Sequence, residues 1–307
     1  MKRRYVTADV FTTQMFGGNP LAVVLDAEGL STAQMQAIAL EFNYSETTFV
    51  LPPKNAAHTA QVRIFTPRAE VPFAGHPNVG TAFLLASQEH FPMAAHVQEF
   101  LFEEAAGIVP MKLLWVDGAV VGAELRAPEA LSRRSVVSAQ LAARCLSLNA
   151  SDIAVQVHEP QIVSVGLPFL VVELASRAAL KRASPNFTAC AEVFPKDGAD
   201  AVFMYMRDVA STTEETVLQA RMFAPTDGVV EDPATGSATG ATIALLASLT
   251  DGSVSEQRWR IHQGVDMGRP SLLMGRTVKS GAHMDVYIGG CCVAVMEGRF
   301  ELRDRAP

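Results

Sequence analysis

One stretch of the chain, residues 231–240, combines two acids with a glycine turn. It reads "EDPATGSATG" and continues directly into the apolar segment "ATIALLA". The free backbone N–H groups at the start of a helix, together with the helix dipole, favour an anion. We therefore expect Thr235, Gly236 and Ser237 to hold a substrate carboxylate. Asp232, just before the turn, would repel a phosphate but suits a cationic amine.

A second stretch repeats this arrangement earlier in the chain. It reads "VPFAGHPNVGTAFLLA", residues 71–86, and places Gly75 and His76 at the start of another apolar segment. Glycine in such a turn can instead serve tight packing alone. The repetition favours an anion site. A lone histidine is more often structural than catalytic, but at a helix N-terminus it favours a neutral His76 that exchanges a hydrogen bond with substrate.

Glu46, in "NYSETTFV", follows a predicted helix and begins a predicted strand. If half buried, its carboxyl would have a raised pKa and would be suited to carry a proton. The alternative is a solvent-facing strand residue, which the pattern alone favours. Glu231 adjoins Asp232 and would point to the opposite face of a strand. We expect Glu231 to have a structural or supporting role.

Several kinds of site are absent from the sequence. No Lys-Ser/Thr follows the glycines as in a P-loop, and no G-x-G-x-x-G opens a helix as in a dinucleotide site. The histidines show no metal-ligand spacing, so we expect no metal site. The net charge of −7 excludes a basic surface for nucleic acid.

The remaining composition indicates a globular protein of the cytoplasm. No apolar run approaches 18 residues and no signal peptide is evident, so we expect no membrane segment. The four cysteines lack C-x-x-C spacing, which is typical of a reduced, cytoplasmic protein.

The elements that must position these residues form two copies. "STAQMQAIALEFN" predicts a helix with a capping box at Ser31 and Gln34, and both apolar segments predict helices buried on every side. "GNPLAVV" matches "GLPFLVV", "RIFTP" matches "RMFAP", and "GTAFLLA" from Gly80 matches "GATIALLA" from Gly240, in the same order. We predict two pseudo-symmetric domains, residues 1–127 and 128–307, with the last strand (about 295–307) returning to the first.

The motifs together resemble the PhzF-like family of phenazine-biosynthesis isomerases. The resemblance rests on "GGNPLAVV", "NYSETTFV", "RIFTPRAEVPFAGHPNVGTA", "RMFAPTDGVVEDPATGSATG" and "QGVDMGRPSLL", which span residues 5 to about 275. It implies an α+β protein with the diaminopimelate-epimerase-like fold, two similar domains whose strands curl around a central buried helix, and an active site between them. It also implies a cofactor-independent, metal-independent isomerase that forms homodimers.

The resemblance assigns a role to each matching residue. Glu46 matches the catalytic acid/base, and Ser45 beside it lines the site. His76 and Asp232 match residues that contact substrate and help to move the proton. Gly75, Gly236 and Ser237 match the backbone donors that hold the substrate carboxylate.

The cysteines distinguish this chain from related epimerases and racemases, which use two facing thiols at the helix turns. Both turns here, "AGHPN" and "DPATGS", lack cysteine. We therefore expect Glu46 to remove a carbon-bound proton and return it to another carbon of a small carboxylate. The alternatives are a non-catalytic binding protein on the same fold, which would exchange no deuterium into a bound ligand, and a two-thiol epimerase, which alkylation would inactivate.

Overall fold

We describe the chain from a computed structural model that covers residues 2–87, 97–208, 215–225, 229–250, 255–281 and 283–302. Two compact units divide it. Unit 1 comprises Met1–Leu125 and Gly289–Pro307, and unit 2 comprises Arg126–Ile288. The last strand, His283–Glu301, runs from unit 2 into unit 1. Residues 303–307 of the predicted final strand lie outside the described part of the chain.

The described part of unit 1 is built from strands and two helices. In chain order they are β1 (Lys2–Val10), β2 (Asn19–Val24), α1 (Thr32–Phe42), β3 (Glu46–Leu51), β4 (Ala60–Phe65), β5 (Glu70–Val71), α2 (Gly75–Ser87), β6 (Glu99–Glu104), β7 (Gly107–Val116) and β8 (Ala119–Arg126, whose last residue belongs to unit 2). Strand β2 is antiparallel to β1 and parallel to β3, and β4 is antiparallel to β3 and parallel to β6.

Unit 2 follows the same plan with extra helices. It contains β9 (Ser132–Val136), α3 (Ala139–Cys145), β10 (Gln161–Ser164), β11 (Pro168–Glu173), α4 (Arg177–Arg182), α5 (Phe187–Ala191), β12 (Val202–Arg207), β13 (Thr216–Ala224), β14 (Val229–Asp232), α6 (Gly236–Ser248), β15 (Glu256–Gln263), β16 (Ser271–Ser280) and β17 (His283–Glu301, which ends in unit 1). Strand β11 is antiparallel to β10 and parallel to β12, and β13 is antiparallel to β12 and parallel to β15.

The two units are therefore copies in topology as well as in sequence. The order β1–β2–β3–β4–β5–α2–β6–β7 in unit 1 corresponds to β10–β11–β12–β13–β14–α6–β15–β16 in unit 2, with matching strand directions. Helices α2 and α6 have 13 residues each. Counted from the first residue of each helix, Gly80 corresponds to Ala241. The alignment of Gly80 with Gly240 is therefore off by one residue.

A central helix is buried in each unit, as its apolar sequence predicts. Helix α2 packs on β1, β2, β3 and β7, and α6 packs on β10, β11, β15 and β16. Gly80 allows the close approach in unit 1, since a Cβ there would lie 2.6 Å from side-chain atoms of both Leu21 and Val10. A helix surrounded by strands cannot move its first turn without moving those strands, so the turn is a rigid place for a site.

Helix α1 begins and ends where the sequence predicts. The Ser31 hydroxyl accepts from the Gln34 N–H at 3.2 Å, and the Gln34 side chain accepts from the Ser31 N–H at 2.9 Å, which completes the capping box. Asn43 ends the helix in the left-handed conformation at φ 52°. The chain then turns directly into Ser45 and Glu46, the first residue of β3.

Candidate functional site

The candidate proton carrier of unit 1 lies beside the candidate histidine. The Oε2 atom of Glu46 is 3.6 Å from the Nε2 atom of His76, and the two side chains are 20% and 7% exposed. Glu46 is therefore no plain surface residue. The structure brings together two side chains that are 30 positions apart in sequence, one at the start of β3 and one in the first turn of α2.

His76 is held in the neutral form. Complete burial lowers the pKa of its imidazole to about 3, because the charged ring would lose its hydration. At neutral pH its contact with Glu46 is thus not an ion pair. A neutral imidazole beside a carboxylate can donate one hydrogen bond and accept another.

Two further polar side chains continue this group. The amide of Asn19 lies 3.5 Å from Nδ1 of His76, and the Ser45 hydroxyl donates to Oδ1 of Asn19 at 3.0 Å. We call Asn19, Ser45, Glu46 and His76 the unit 1 cluster. It links the starts of β2, β3 and α2.

The sequence motifs assign no role to Asn19, although "GGNPLAVV" contains it. Its burial, which only the structure shows, indicates its importance, because a fully buried asparagine must find hydrogen-bond partners. Gly18 precedes it at φ 61°, where a Cβ would lie 2.3 Å from the carbonyl oxygen of Val10. Only glycine fits there, and the tight turn delivers Asn19 to its place at the start of β2.

In unit 2 the predicted residues surround the first turn of α6. Thr235 is the N-cap residue, but its side chain makes no capping hydrogen bond. Its hydroxyl donates instead to Oδ2 of Asp232 at 2.5 Å. An N-cap side chain normally satisfies a first-turn N–H group and contributes about 1 kcal/mol. Thr235 does not do so, which leaves the N–H of Ser237, the second helical residue, to other acceptors.

A buried glutamine keeps Thr235 and Asp232 in this arrangement. Gln263 accepts from the Thr235 N–H at 3.1 Å and donates to the Asp232 carbonyl at 2.9 Å and to the Thr235 hydroxyl at 3.0 Å. The sequence reasoning missed Gln263 as well, although "QGVDMGRPSLL" contains it. We call Asp232, Thr235, Gly236, Ser237 and Gln263 the unit 2 cluster.

Glu231 has the supporting position that strand alternation predicts. Its two carboxylate oxygens each accept from Arg221 at 2.8 Å, while Asp232 contacts Thr235. Arg221 also donates to the carbonyl oxygens of Leu180 at 2.9 Å and Ala183 at 2.8 Å. The pair thus ties β13 and β14 to the end of α4 and fixes the strand that carries Asp232.

We call the pair of Arg221 and Glu231 an arginine–glutamate clamp, and unit 1 contains a corresponding clamp. Arg63 donates to both oxygens of Glu70 at 2.7 Å and lies 5.2 Å from the ring centre of Phe65. Arg221 lies 4.9 Å from the ring centre of Phe223 in the same way. An arginine on the fourth strand of the copy therefore binds the glutamate of the next short strand in both units.

The chemistry-bearing positions, in contrast, differ between the copies. From Glu70 and Glu231 onward the sequences read "EVPFAGH" and "EDPATGS". Aligned on these glutamates, Val71 corresponds to Asp232 and His76 corresponds to Ser237. The strand registers align Thr47 with Val202, so that buried Ala201 stands where unit 1 has Glu46. Unit 1 has the candidate proton carrier, and unit 2 has an acid beside a helix start that its N-cap side chain does not cap.

No cysteine lies in either cluster. Cys145 and Cys190 are buried in α3 and α5, and Cys291 and Cys292 lie in β17. Burial raises the pKa of the Cys292 thiol. A thiol that remains protonated is a poor base. No cysteine stands at the start of α2 or α6, so the positions of the four thiols do not fit a mechanism with two facing thiols.

Within the described residues, no helix has both the length and the apolar character that crossing a membrane requires. Among the same residues, no three His, Cys, Asp or Glu side chains group closely enough to hold a metal ion.

Comparisons with known proteins identify relatives over nearly the whole chain. The family model described as phenazine biosynthesis-like protein matches residues 8–298. A protein of Mesorhizobium japonicum named an uncharacterized isomerase is 39% identical, over 97% of this chain and 98% of the relative. The trans-2,3-dihydro-3-hydroxyanthranilate isomerase of Pseudomonas aeruginosa is 36% identical, over 96% of this chain and 98% of the relative.

A solved structure shares the fold. The phenazine biosynthesis protein of the PhzF family from Bacillus anthracis superposes with a TM-score of 0.87 and 24% identity, over 98% of this chain and 100% of that chain. The predicted fold class, α+β with two copies of a strand-wrapped helix, is thereby confirmed.

Proposed function

We propose a reaction for this chain, which belongs to the phenazine biosynthesis-like (PhzF) protein family and is an isomerase of that family. The protein moves a proton between two carbon atoms of a small unsaturated carboxylic acid, with Glu46 as the acid and base. The observation that supports this most is the contact between Glu46 and neutral His76 at 3.6 Å. A carboxylate that is mostly buried beside a hydrogen-bond donor can take a proton from carbon and hold it.

The reaction we propose needs no net change in protons. Glu46 removes a proton from one carbon, the electron pair moves into the conjugated system of the substrate, and the same carboxyl returns a proton to a second carbon. Because the substrate itself accepts the electron pair, no cofactor is required. His76 and the first-turn N–H groups at Gly75 stabilise negative charge as it develops.

The resemblance to the family implies that Asp232, Gly236 and Ser237 also contact the substrate, and their chemistry suggests what the substrate carries. First-turn amides at Gly236 and Ser237 that Thr235 does not cap suit a carboxylate, and Asp232 suits an amino group. We therefore propose an amino-substituted, ring-containing carboxylic acid. The substrate of the Pseudomonas aeruginosa relative, trans-2,3-dihydro-3-hydroxyanthranilate, has this character and is the first compound to test.

The test combines turnover with isotope exchange. Wild type, Glu46→Gln and the matched control Glu41→Gln, which alters an exposed residue of α1, are incubated with the candidate acids in D₂O. We expect Glu46→Gln to fold and bind but to lose between about 10²- and 10⁴-fold in rate, the usual contribution of a general acid or base. Product and deuterium incorporation are followed by NMR and mass spectrometry.

Three outcomes would contradict the proposal in different ways. Full activity of Glu46→Gln would remove Glu46 from the mechanism. Binding without isomer formation or exchange in wild type would favour the non-catalytic binding protein. Inactivation by cysteine alkylation, with substrate protection, would favour a two-thiol epimerase.

We also propose that the protein acts in the cytoplasm as a homodimer. The resemblance to the family supports the dimer, and the four free thiols support a reduced compartment. Light scattering at several concentrations tests the dimer, and cell fractionation tests the compartment.

A further inference from the structure

We propose that Asn19 is a positioning residue, which holds His76 as the neutral tautomer with its proton on Nε2, facing Glu46. The inference rests on the proposed function, in which Glu46 is an ionised carboxylate before it takes a proton, and on the geometry of the unit 1 cluster. Nothing in the sequence motifs assigned Asn19 a part in the chemistry.

The first step concerns the end of the ring that faces Glu46. Nε2 of His76 is 3.6 Å from Oε2 of Glu46, and no side chain of the described residues forms a regular hydrogen bond with that nitrogen. An ionised carboxylate has only lone pairs to offer. An unprotonated Nε2 would therefore place lone pair against lone pair in a buried site. A proton on Nε2 turns the same contact into an attraction.

The second step concerns the opposite end of the ring. A neutral imidazole has one proton, so a proton on Nε2 makes Nδ1 an acceptor. Burial lowers the pKa of His76 to about 3, which excludes a second proton at neutral pH. Nδ1 therefore needs a donor, and the Asn19 amide 3.5 Å away is in place to supply one from its NH₂ group.

The third step fixes which way the amide points. If the NH₂ group faces His76, the carbonyl oxygen of Asn19 faces Ser45, whose hydroxyl donates to it at 3.0 Å. The opposite amide orientation would present two acceptors to the ring, Oδ1 at one end and the carboxylate at the other. A neutral ring cannot satisfy both. The charge state of Glu46 thus decides the orientation of Asn19.

A consequence follows for each neighbour. Ser45 has used its only hydrogen on Asn19, so toward a substrate it can act only as an acceptor. Nε2 of His76 already holds a proton and the ring is a weak base, so it cannot receive the proton that Glu46 takes from substrate. That proton stays on Glu46 until it is returned to carbon.

The experiment reads the tautomer directly and needs no substrate. In ¹⁵N-labelled protein, long-range ¹H–¹⁵N correlation spectra distinguish protonated from unprotonated ring nitrogens, and His76→Gln identifies the resonances of His76. We expect wild type at pH 7 to show Nε2 protonated and Nδ1 unprotonated. We also expect no titration of this ring between pH 5 and pH 8.

Two variants test whether Asn19 is responsible. Asn19→Asp replaces the donor by a carboxylate of the same shape, and we expect the proton to move to Nδ1 or a second proton to bind. Turnover should then fall at least about tenfold in kcat with little change in KM, the pattern of a lost transition-state interaction. Asn149→Asp is the matched control, because it adds the same charge at an exposed cap position in unit 2 and should leave the His76 spectrum unchanged.

The outcomes separate this inference from the proposed function. A wild-type ring protonated on Nδ1 would overturn the inference, whatever the activity. An unchanged tautomer in folded Asn19→Asp would do the same. If the tautomer is as expected and no acid is isomerised, the proposed function fails while the assignment of Asn19 as the tautomer-setting residue stands.

Discussion

The clearest quantitative test concerns Glu104, a buried carboxyl near the first turn of α2. Glu104 ends β6, on the same face as the fully buried Phe102. Both of its carboxyl oxygens are buried without a regular hydrogen bond. The Asn78 amide lies near it and lowers its pKa, but burial outweighs this and raises the pKa to about 8. The acid is therefore mostly protonated at neutral pH.

This raised pKa makes the folded state less stable as the pH rises. A carboxyl group that binds its proton more tightly in the folded state does not lower the free energy of unfolding at pH values below its pKa in the unfolded chain, which is 4.5 for Glu104. Its lowering effect grows from there until the pH has passed the folded value of about 8. Between pH 5 and pH 9 the contribution of Glu104 to the free energy of unfolding should fall by about 4 kcal/mol.

The assay is the difference between wild type and Glu104→Gln. Glutamine has a similar shape, stays neutral, and cannot titrate. Urea unfolding at pH 5, 6, 7, 8 and 9, followed by the fluorescence of the two tryptophans, Trp115 in β7 and Trp259 in β15, gives the free energy of unfolding of each protein. All other titrating groups are common to both proteins, so they cancel in the difference.

We expect the stability of Glu104→Gln relative to wild type to rise by about 4 kcal/mol over this pH range. Glu41→Gln, at an exposed position of α1, is the matched control for replacing a glutamate by glutamine. A constant difference for Glu104→Gln, or one that favours wild type as the pH rises, would show that the carboxyl is ionised and solvated when folded. Our reasoning about its burial would then be wrong.

Two further predictions concern the scaffold. Arg221→Met leaves the carboxylate of Glu231 buried without its partner and should reduce the free energy of unfolding by about 3–5 kcal/mol. Arg63→Met, at the more exposed copy of the clamp, should reduce it by about 1 kcal/mol. Equal losses of the two variants in chemical denaturation would contradict an effect of the difference in burial. Gly80→Ala should lower the thermal midpoint of unfolding, because overpacking costs about 1–3 kcal/mol, although alanine favours a helix. A higher midpoint would show that β1 and β2 move apart enough to accommodate the added methyl group.

Much of the fold could be predicted because local patterns and tertiary packing agree. The capping box at Ser31 is a local signal, and the structure has it. The two helices without a polar face could only be buried, and the repeated "GNPLAVV" and "RIFTP" stretches required two copies. The alignment failed by one residue at Gly80, because small residues recur along both helices and sequence alone cannot choose between neighbouring glycines.

The site was less accessible to sequence reasoning, because its residues act through partners far along the chain. Asn19 and Gln263 are ordinary amides whose importance depends on side chains 57 and 28 positions away. For Glu46, alternating strand pattern favoured a solvent-facing residue, since that pattern contains no information on what covers the strand. His76 could be predicted to be neutral, because burial at a helix start suffices for that.

The arginine–glutamate clamp recurs in both units, whereas the residues near it differ between the units. A duplicated unit starts with every functional position in two versions. Here the clamp persists in both, whereas the positions it steadies have become Val71 and Asp232, and the strand start has become Glu46 in one copy and Ala201 in the other. The clamp is present in both units, whereas each candidate chemical group is present in one, so the two units share a framework and differ at the positions that could do chemistry.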